Sequence, residues 1–203
     1  MDGLFFYWLA WIAVVVLLFF VSERWKYRFP MLIHLLMIMI IASYQVNVDA
    51  LSFNFSVIYI FIAICVYIRR MRLMQIFGFV ISIFTVAMAY CCFQLYSMLD
   101  PVWLLFDKSW MMAILLNYLC VLLFSAKGIR LGGLIGGMAL GDCMTSFLLS
   151  RLAMPYAAGS FSWLDDAALA LGVAATGILA GYASRMLQTQ TNPLQKERQR
   201  SYE

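Results

Sequence analysis

Charged residues make up only 12% of this 203-residue chain, about half the roughly 25% carried by soluble domains. Histidine occurs once, as His34. One histidine cannot supply paired haem ligands or a zinc triad. No HExxH string, Walker loop or dinucleotide fingerprint preceding a nucleotide domain is present. Ser82, Ser146 and Ser150 have no His or Lys base at matching depth, so intramembrane serine hydrolysis lacks a part. The five cysteines, Cys65, Cys91, Cys92, Cys120 and Cys143, all lie inside apolar runs. Their spacing fits neither a zinc pattern nor a disulfide framework, and they read as small buried apolar residues. No enzyme activity, metal or cofactor is expected.

Apolar residues are abundant instead: 65% of the chain is hydrophobic and 16% aromatic, with 14 Met. Such a chain could not cover a soluble surface, so a lipid bilayer is its expected solvent. Crossing about 30 Å of hydrocarbon takes about 17–25 helical residues. The apolar runs are Leu4–Val21, Met31–Val46, Leu51–Ile68, Leu73–Tyr96, Trp110–Ala126, Leu131–Leu152 and Ala167–Ser184. The expected fold is therefore all-α, a polytopic membrane protein of about seven transmembrane helices. The second and third runs are interrupted by Gln45, Asn47, Asp49, Ser52 and Asn54, and a pair of half-inserted helices there would preserve the parity of the rest. The first run has no positive n-region and no small-residue cleavage pattern, which reads as a retained anchor.

Charge sets the expected orientation. Arg24, Lys26, Arg28, Arg69, Arg70, Arg72, Lys127, Arg130, Arg185, Lys196, Arg198 and Arg200 fall in connectors on one side, leaving Lys108 and Arg151 on the other. That other side carries Asp2, Asp49, Asp100, Asp107, Asp165 and Asp166. The positive-inside rule places the basic side in the cytoplasm, giving N-out and C-in. The net charge of +4 thus follows from topology and contact with anionic lipid, and a nucleic-acid partner is not expected. Residues 1–187 read as one transmembrane domain, and 188–203 as a solvated, disordered cytoplasmic tail.

Two connectors on the acidic side are long. Ser97–Ser109 and Met154–Asp166 read as segments along the outer interface, with Trp103 and the following Trp110 in the aromatic belt and Trp163 in the second connector; a lid over an external cavity is the alternative. Asp165 and Asp166 read as cap and topology residues of the last helix. His34 reads as an interfacial histidine, about 10 Å from Asp142 in depth by helical rise.

The sixth run carries Gly133, Gly137 and Gly141 at every fourth position, a small-residue stripe that lets backbones approach closely in lipid. Gly177 and Gly181 in the seventh run suggest a tight pairing of these two helices, or a homo- or hetero-oligomer through them. Asp142 lies about 16 Å deep by helical rise, where a carboxylate costs about 2.5–3.5 kcal/mol. Asn117, Thr85, Thr145 and Thr176 complete a candidate intramembrane polar site, in which Asp142 is expected to be neutral or hydrogen-bonded to Asn117. No second acid and no basic residue is expected in that layer.

The opening Met1-Asp2-Gly3-Leu4-Phe5-Phe6-Tyr7-Trp8, with Trp11 one turn on, resembles the start of the YphA family of small membrane proteins from spore-forming Gram-positive bacteria. The resemblance implies a bacterial cytoplasmic membrane and brings no catalytic or binding residue with it. Two functions fit these readings. One is a non-enzymatic structural, assembly or interaction component of the membrane. The other is a small proton- or cation-coupled transporter or channel using Asp142 and Asn117. The absence of an inverted repeat and the odd number of helices favour the first.

Overall fold

The computed structural model describes residues 3–22, 27–48, 51–69, 73–100, 102, 104, 106–124, 127–152, 154 and 156–200. Met1, Asp2, Arg24, Lys26, Asp49, Arg70, Arg72, Trp103 and Ala126, and residues 201–203 of the tail, lie outside the described residues.

Seven α-helices occur among the described residues. α1 (Leu4–Val15) ends in a π-helical turn, Val16–Phe20, followed by α2 (Arg28–Ile41). After a hairpin come α3 (Phe55–Ile68), α4 (Leu73–Leu99), α5 (Lys108–Leu123), α6 (Lys127–Arg151) and α7 (Phe161–Arg200). Their positions follow the seven apolar runs. Three segments, Gln75–Leu99, Gly128–Arg151 and Phe161–Ser184, are long and apolar enough to cross a membrane. Leu4–Phe20, Arg28–Ile41, Phe55–Ile68 and Lys108–Leu123 are shorter apolar helices. At 1.5 Å per residue, the 14 residues of α2 or of α3 span about 21 Å, short of a hydrocarbon core of about 30 Å. The backbone of α7 runs on through 188–200, where the sequence suggests a disordered tail.

The polar residues between the second and third runs do not extend helices. They form β1 (Gln45–Val48) and β2 (Leu51–Asn54), an antiparallel hairpin in which Gln45 faces Asn54. β3 (Ala157–Ala158), from the α6–α7 connector, adds to β2 in parallel, with Ser52 opposite Ala157 and Phe53 opposite Ala158. Backbone polar groups that cannot be left bare near lipid are paired in this way. Asn54 closes the hairpin: its side chain accepts from Ser56 N at 2.9 Å to cap α3, and donates to Ala42 O at 2.7 Å at the end of α2.

α6 is the central helix, and its glycines explain how neighbours reach it from several sides. A Cβ on Gly137 would meet Val86 of α4 at 2.4 Å, and one on Gly141 would meet Ala87 O at 2.7 Å and the Tyr90 Cβ at 2.9 Å. A Cβ on Gly133 would meet the Phe124 ring after α5 at 2.3 Å, and one on Gly136 would meet Ile64 of α3 at 2.9 Å. The stripe therefore packs chiefly on α4, correcting the expected pairing with α7. Gly177 has nothing within 4 Å of its virtual Cβ, and Gly181, one turn further on α7, is half-buried. The partner that the stripe meets was set by which helix lies beside it, and the stripe itself carries no information on that.

Four segments meet at one end of the bundle, here the upper end. Asp165 of α7 accepts from Gly3 N and Phe6 N, both at 2.7 Å, so it caps α1. This corrects its assignment to the last helix: α7 already begins at Phe161, four residues earlier. Trp163 is likewise 1% exposed, inside the core. At the lower end, the Arg28 guanidinium donates to Leu17 O at 2.9 Å and Leu18 O at 2.7 Å, and Arg130 donates to Phe124 O at 3.1 Å. These arginines satisfy carbonyls orphaned at the ends of α1 and α5.

Candidate functional site

Asp142 is fully buried, and its partners are not the expected one. Oδ1 accepts from the Tyr156 hydroxyl at 2.5 Å and from the Tyr90 hydroxyl at 3.3 Å. Oδ2 accepts from Gly159 N at 2.6 Å. Asn117 is elsewhere: its amide donates to Ala113 O and Ala170 O, both at 2.8 Å, and ties α5 to α7. The depth estimate for Asn117 holds no information on azimuth, and the residue faces α7.

Only Thr145 of the proposed polar layer joins Asp142, one turn above it on α6, fully buried with its hydroxyl on Gly141 O at 2.9 Å. Thr85 and Thr176 are exposed and return their hydroxyls to Ile81 O and Val173 O of their own helices, each at 2.9 Å. Ser and Thr on lipid-facing positions are satisfied by such back-bonding. His34 is exposed and lies 2.5 Å from the Tyr59 hydroxyl across the α2–α3 pair.

The site extends upward through Gln94 and Tyr156, neither of them expected in it, and through Ser146, which shares the Asp142 face of α6. Gln94 of α4 donates to the Tyr156 hydroxyl at 3.5 Å, and Ser146 of α6 donates to Tyr156 O at 3.1 Å. Tyr156 thus bridges α4 and α6, although it belongs to the connector. Burial first, and the Asp142 carboxylate second, push the Tyr156 hydroxyl far above the ordinary tyrosine range, so it remains a donor. Gly159 adopts φ 74°, and a Cβ there would meet Val57 at 2.4 Å and Asn54 at 3.0 Å. Only glycine combines that backbone with that close approach.

A second acid and a base also enter this stratum, against expectation. Asp166 is 6% exposed, with the Ser109 side chain hydrogen-bonded to it and Lys108 close enough to act on its charge. Lys108 in turn feels Asp142. Linear depth counting put Asp166 and Lys108 in outer connectors. The fold instead starts α5 at Lys108, which is half-buried, and places Asp166 in the second turn of α7, where it is buried. The signal available was the Tyr90, Gln94, Ser97 sequence at helical spacing in an otherwise apolar run.

Among the described residues no three His, Cys, Asp or Glu side chains come together as a metal-binding group. Two surface grooves, of about 550 and 440 Å³, are lined by α1 residues such as Trp8 and Trp11, and by α2–α3 residues such as Tyr44 and Tyr59. Asp142 lines neither. The arrangement around it fastens the α6–α7 connector and, through β3, the hairpin.

The profile of the YphA-like integral membrane protein family matches residues 2–200. The chain belongs to that family. It is also 28% identical over 167 residues to the Bacillus subtilis (strain 168) protein named Uncharacterized protein YphA, covering 81% of each chain. No solved structure matches it. For this YphA-like protein, an integral membrane location and a bundle of apolar helices stand together, as the opening residues and composition imply.

Proposed function

We propose that the protein is a non-enzymatic structural or assembly component of the bacterial cytoplasmic membrane, crossing it seven times with the N-terminus outside and the C-terminus in the cytoplasm. The observation that carries this reading is the use made of the buried polar groups. All three hydrogen bonds of Asp142 come from groups of the bundle and its connector. Asn117 likewise joins two helices. Polar chemistry is directed inward, as interhelical glue.

The seven crossings are supported by the meeting of the α1 start, the hairpin, the α5 start and the α6–α7 connector at one end. Each helix between them must then run the length of the bundle. The short α2 and α3 are accommodated by the hairpin above them and by local thinning of the bilayer. The basic connectors at the opposite end favour the cytoplasm there. Association with a second copy or another membrane protein would use α7, where Gly172 and Gly177 have open space at their Cβ positions. Close backbone approach at such positions drives helix pairing in lipid.

Compartment-specific reporters on the two ends test the topology: opposite compartments are expected, and a shared one overturns it. Co-purification in mild detergent tests assembly. A stoichiometric partner or self-association lost in Gly177→Leu is expected, and a monomer free of partners would remove the assembly reading.

A further inference from the structure

We propose that residues 156–160 form a removable strap, and that Tyr156 is the plug by which it closes a polar cleft between α4 and α6. α4 presents Tyr90, Gln94 and Ser97, and α6 presents Asp142, Thr145 and Ser146, all of them buried. Lower down, Gly137 and Gly141 bring the two backbones into contact. Above that contact a connector side chain stands between the helices. The Tyr156 hydroxyl meets Gln94 from α4 and Asp142 from α6.

The strap supplies two of the three donors to Asp142, and a few further hydrogen bonds hold it. They are those of the two-residue β3, the Ser146 and Gln94 bonds to Tyr156, and the bonds from Trp163 N and Leu164 N to Ser160. Gln94 is 6% exposed, and its side-chain oxygen has no partner among the described residues. A permanently sealed interior gains nothing from such an acceptor, because an unpaired buried carbonyl costs free energy that an apolar residue would not. An interior that opens toward the upper end accounts for it: Gln94 is dry when the strap is down and hydrated when it lifts.

The test uses the full-length protein in lipid nanodiscs, with its five cysteines replaced by Ala and Thr145→Cys as the reporter. Thr145 bonds only within its own helix, so the reporter removes no strap contact. A water-soluble maleimide reaches both faces of a nanodisc, so the result does not depend on orientation. Labelling is expected to be slow with Tyr156 present and about tenfold faster in Tyr156→Phe, the change that about 1.4 kcal/mol of lost fastening gives. In the same background, Ser52→Cys with Ala157→Cys, whose Cα atoms are paired in the sheet, should form a disulfide that holds the strap down. Oxidation should then return labelling to the slow rate, and reduction should restore the fast one. Equal rates with and without the Tyr156 hydroxyl would overturn the strap. Fast labelling that the cross-link leaves unchanged would also overturn it, since that reports general loosening of the bundle.

Discussion

The hydroxyl of Tyr156 donates to the Asp142 carboxylate at 2.5 Å, across 14 residues of chain. A connector residue therefore reaches into the helix pair and completes its polar interior. Through this bond and that of Gly159, the carboxylate sets the path of the α6–α7 connector, and with it the place of β3 beside the hairpin.

Removing either end of this bond should destabilise the protein, and the two losses should not add. Tyr156→Phe leaves the carboxylate short of one donor, at a cost of about 1.5–3 kcal/mol for a charge-assisted bond. Asp142→Asn should cost as much or more. Thermal unfolding in detergent of both single variants and the double variant gives the coupling. An interaction energy near zero would mean that the two groups do not act on one another.

Alkaline pH should weaken the fold through Tyr156. Its folded pKa lies above the unfolded one, from burial first and Asp142 second. A group shifted in that sense contributes stability that is complete below the unfolded value, about 10, and is lost as pH rises through the folded value. Melting temperature should therefore fall above about pH 10, and Tyr156→Phe should flatten that part of the decline. An unchanged decline in the variant would assign it to other groups.

The glycines should divide by what faces them. Gly137→Ala and Gly141→Ala push against Val86, Ala87 and Tyr90 and should cost about 1–3 kcal/mol by overpacking. Gly177→Ala meets open space and should be neutral, or stabilising by up to about 1 kcal/mol from the lower helix cost of Ala. Unfolding curves of the three variants decide this. Equal effects at Gly141 and Gly177 would contradict the α4–α6 contact.

Asp165→Ala should loosen the start of α1 alone. Gly3 N and Phe6 N lose their acceptor, a cap worth about 0.5–2 kcal/mol. Hydrogen exchange at the first turn of α1 should quicken while α6 amides hold their protection. Gly3→Ala should act in the same direction, because φ is 96° there and a Cβ would meet the Phe161 ring at 2.9 Å.

Six of the seven helices were legible in the sequence to within about five residues at each end, because apolar runs of near-membrane length have one main use; α7 begins six residues before its apolar run and continues sixteen beyond it. Membrane residence and the polarity of the connectors were legible for the same reason: each is a property of composition along a line. Asp142 could also be singled out, since depth follows from counting residues at 1.5 Å each. Its partners could not. Depth fixes one coordinate of a buried group, whereas a hydrogen bond needs the helix neighbours, their rotation and the course of the loops. Asn117 matched Asp142 in depth and faced another helix. Tyr156 looked like a surface residue and folded inward. Asp165 looked like a cap for the helix that contains it and caps a helix 160 residues away in the chain.

One-dimensional hydropathy and charge thus determined the solvent of this protein, the number and approximate ends of its apolar segments, and which residues were too polar to lie there without a partner. Tertiary structure alone decided which helix the Gly133–Gly141 stripe would meet and which groups would satisfy Asp142. It also made a three-stranded sheet from two connectors more than a hundred residues apart. The physical reason is that burial from water acts on each residue by its own composition. Close packing and hydrogen bonding act between pairs, and those pairs exist only once the chain has folded back on itself.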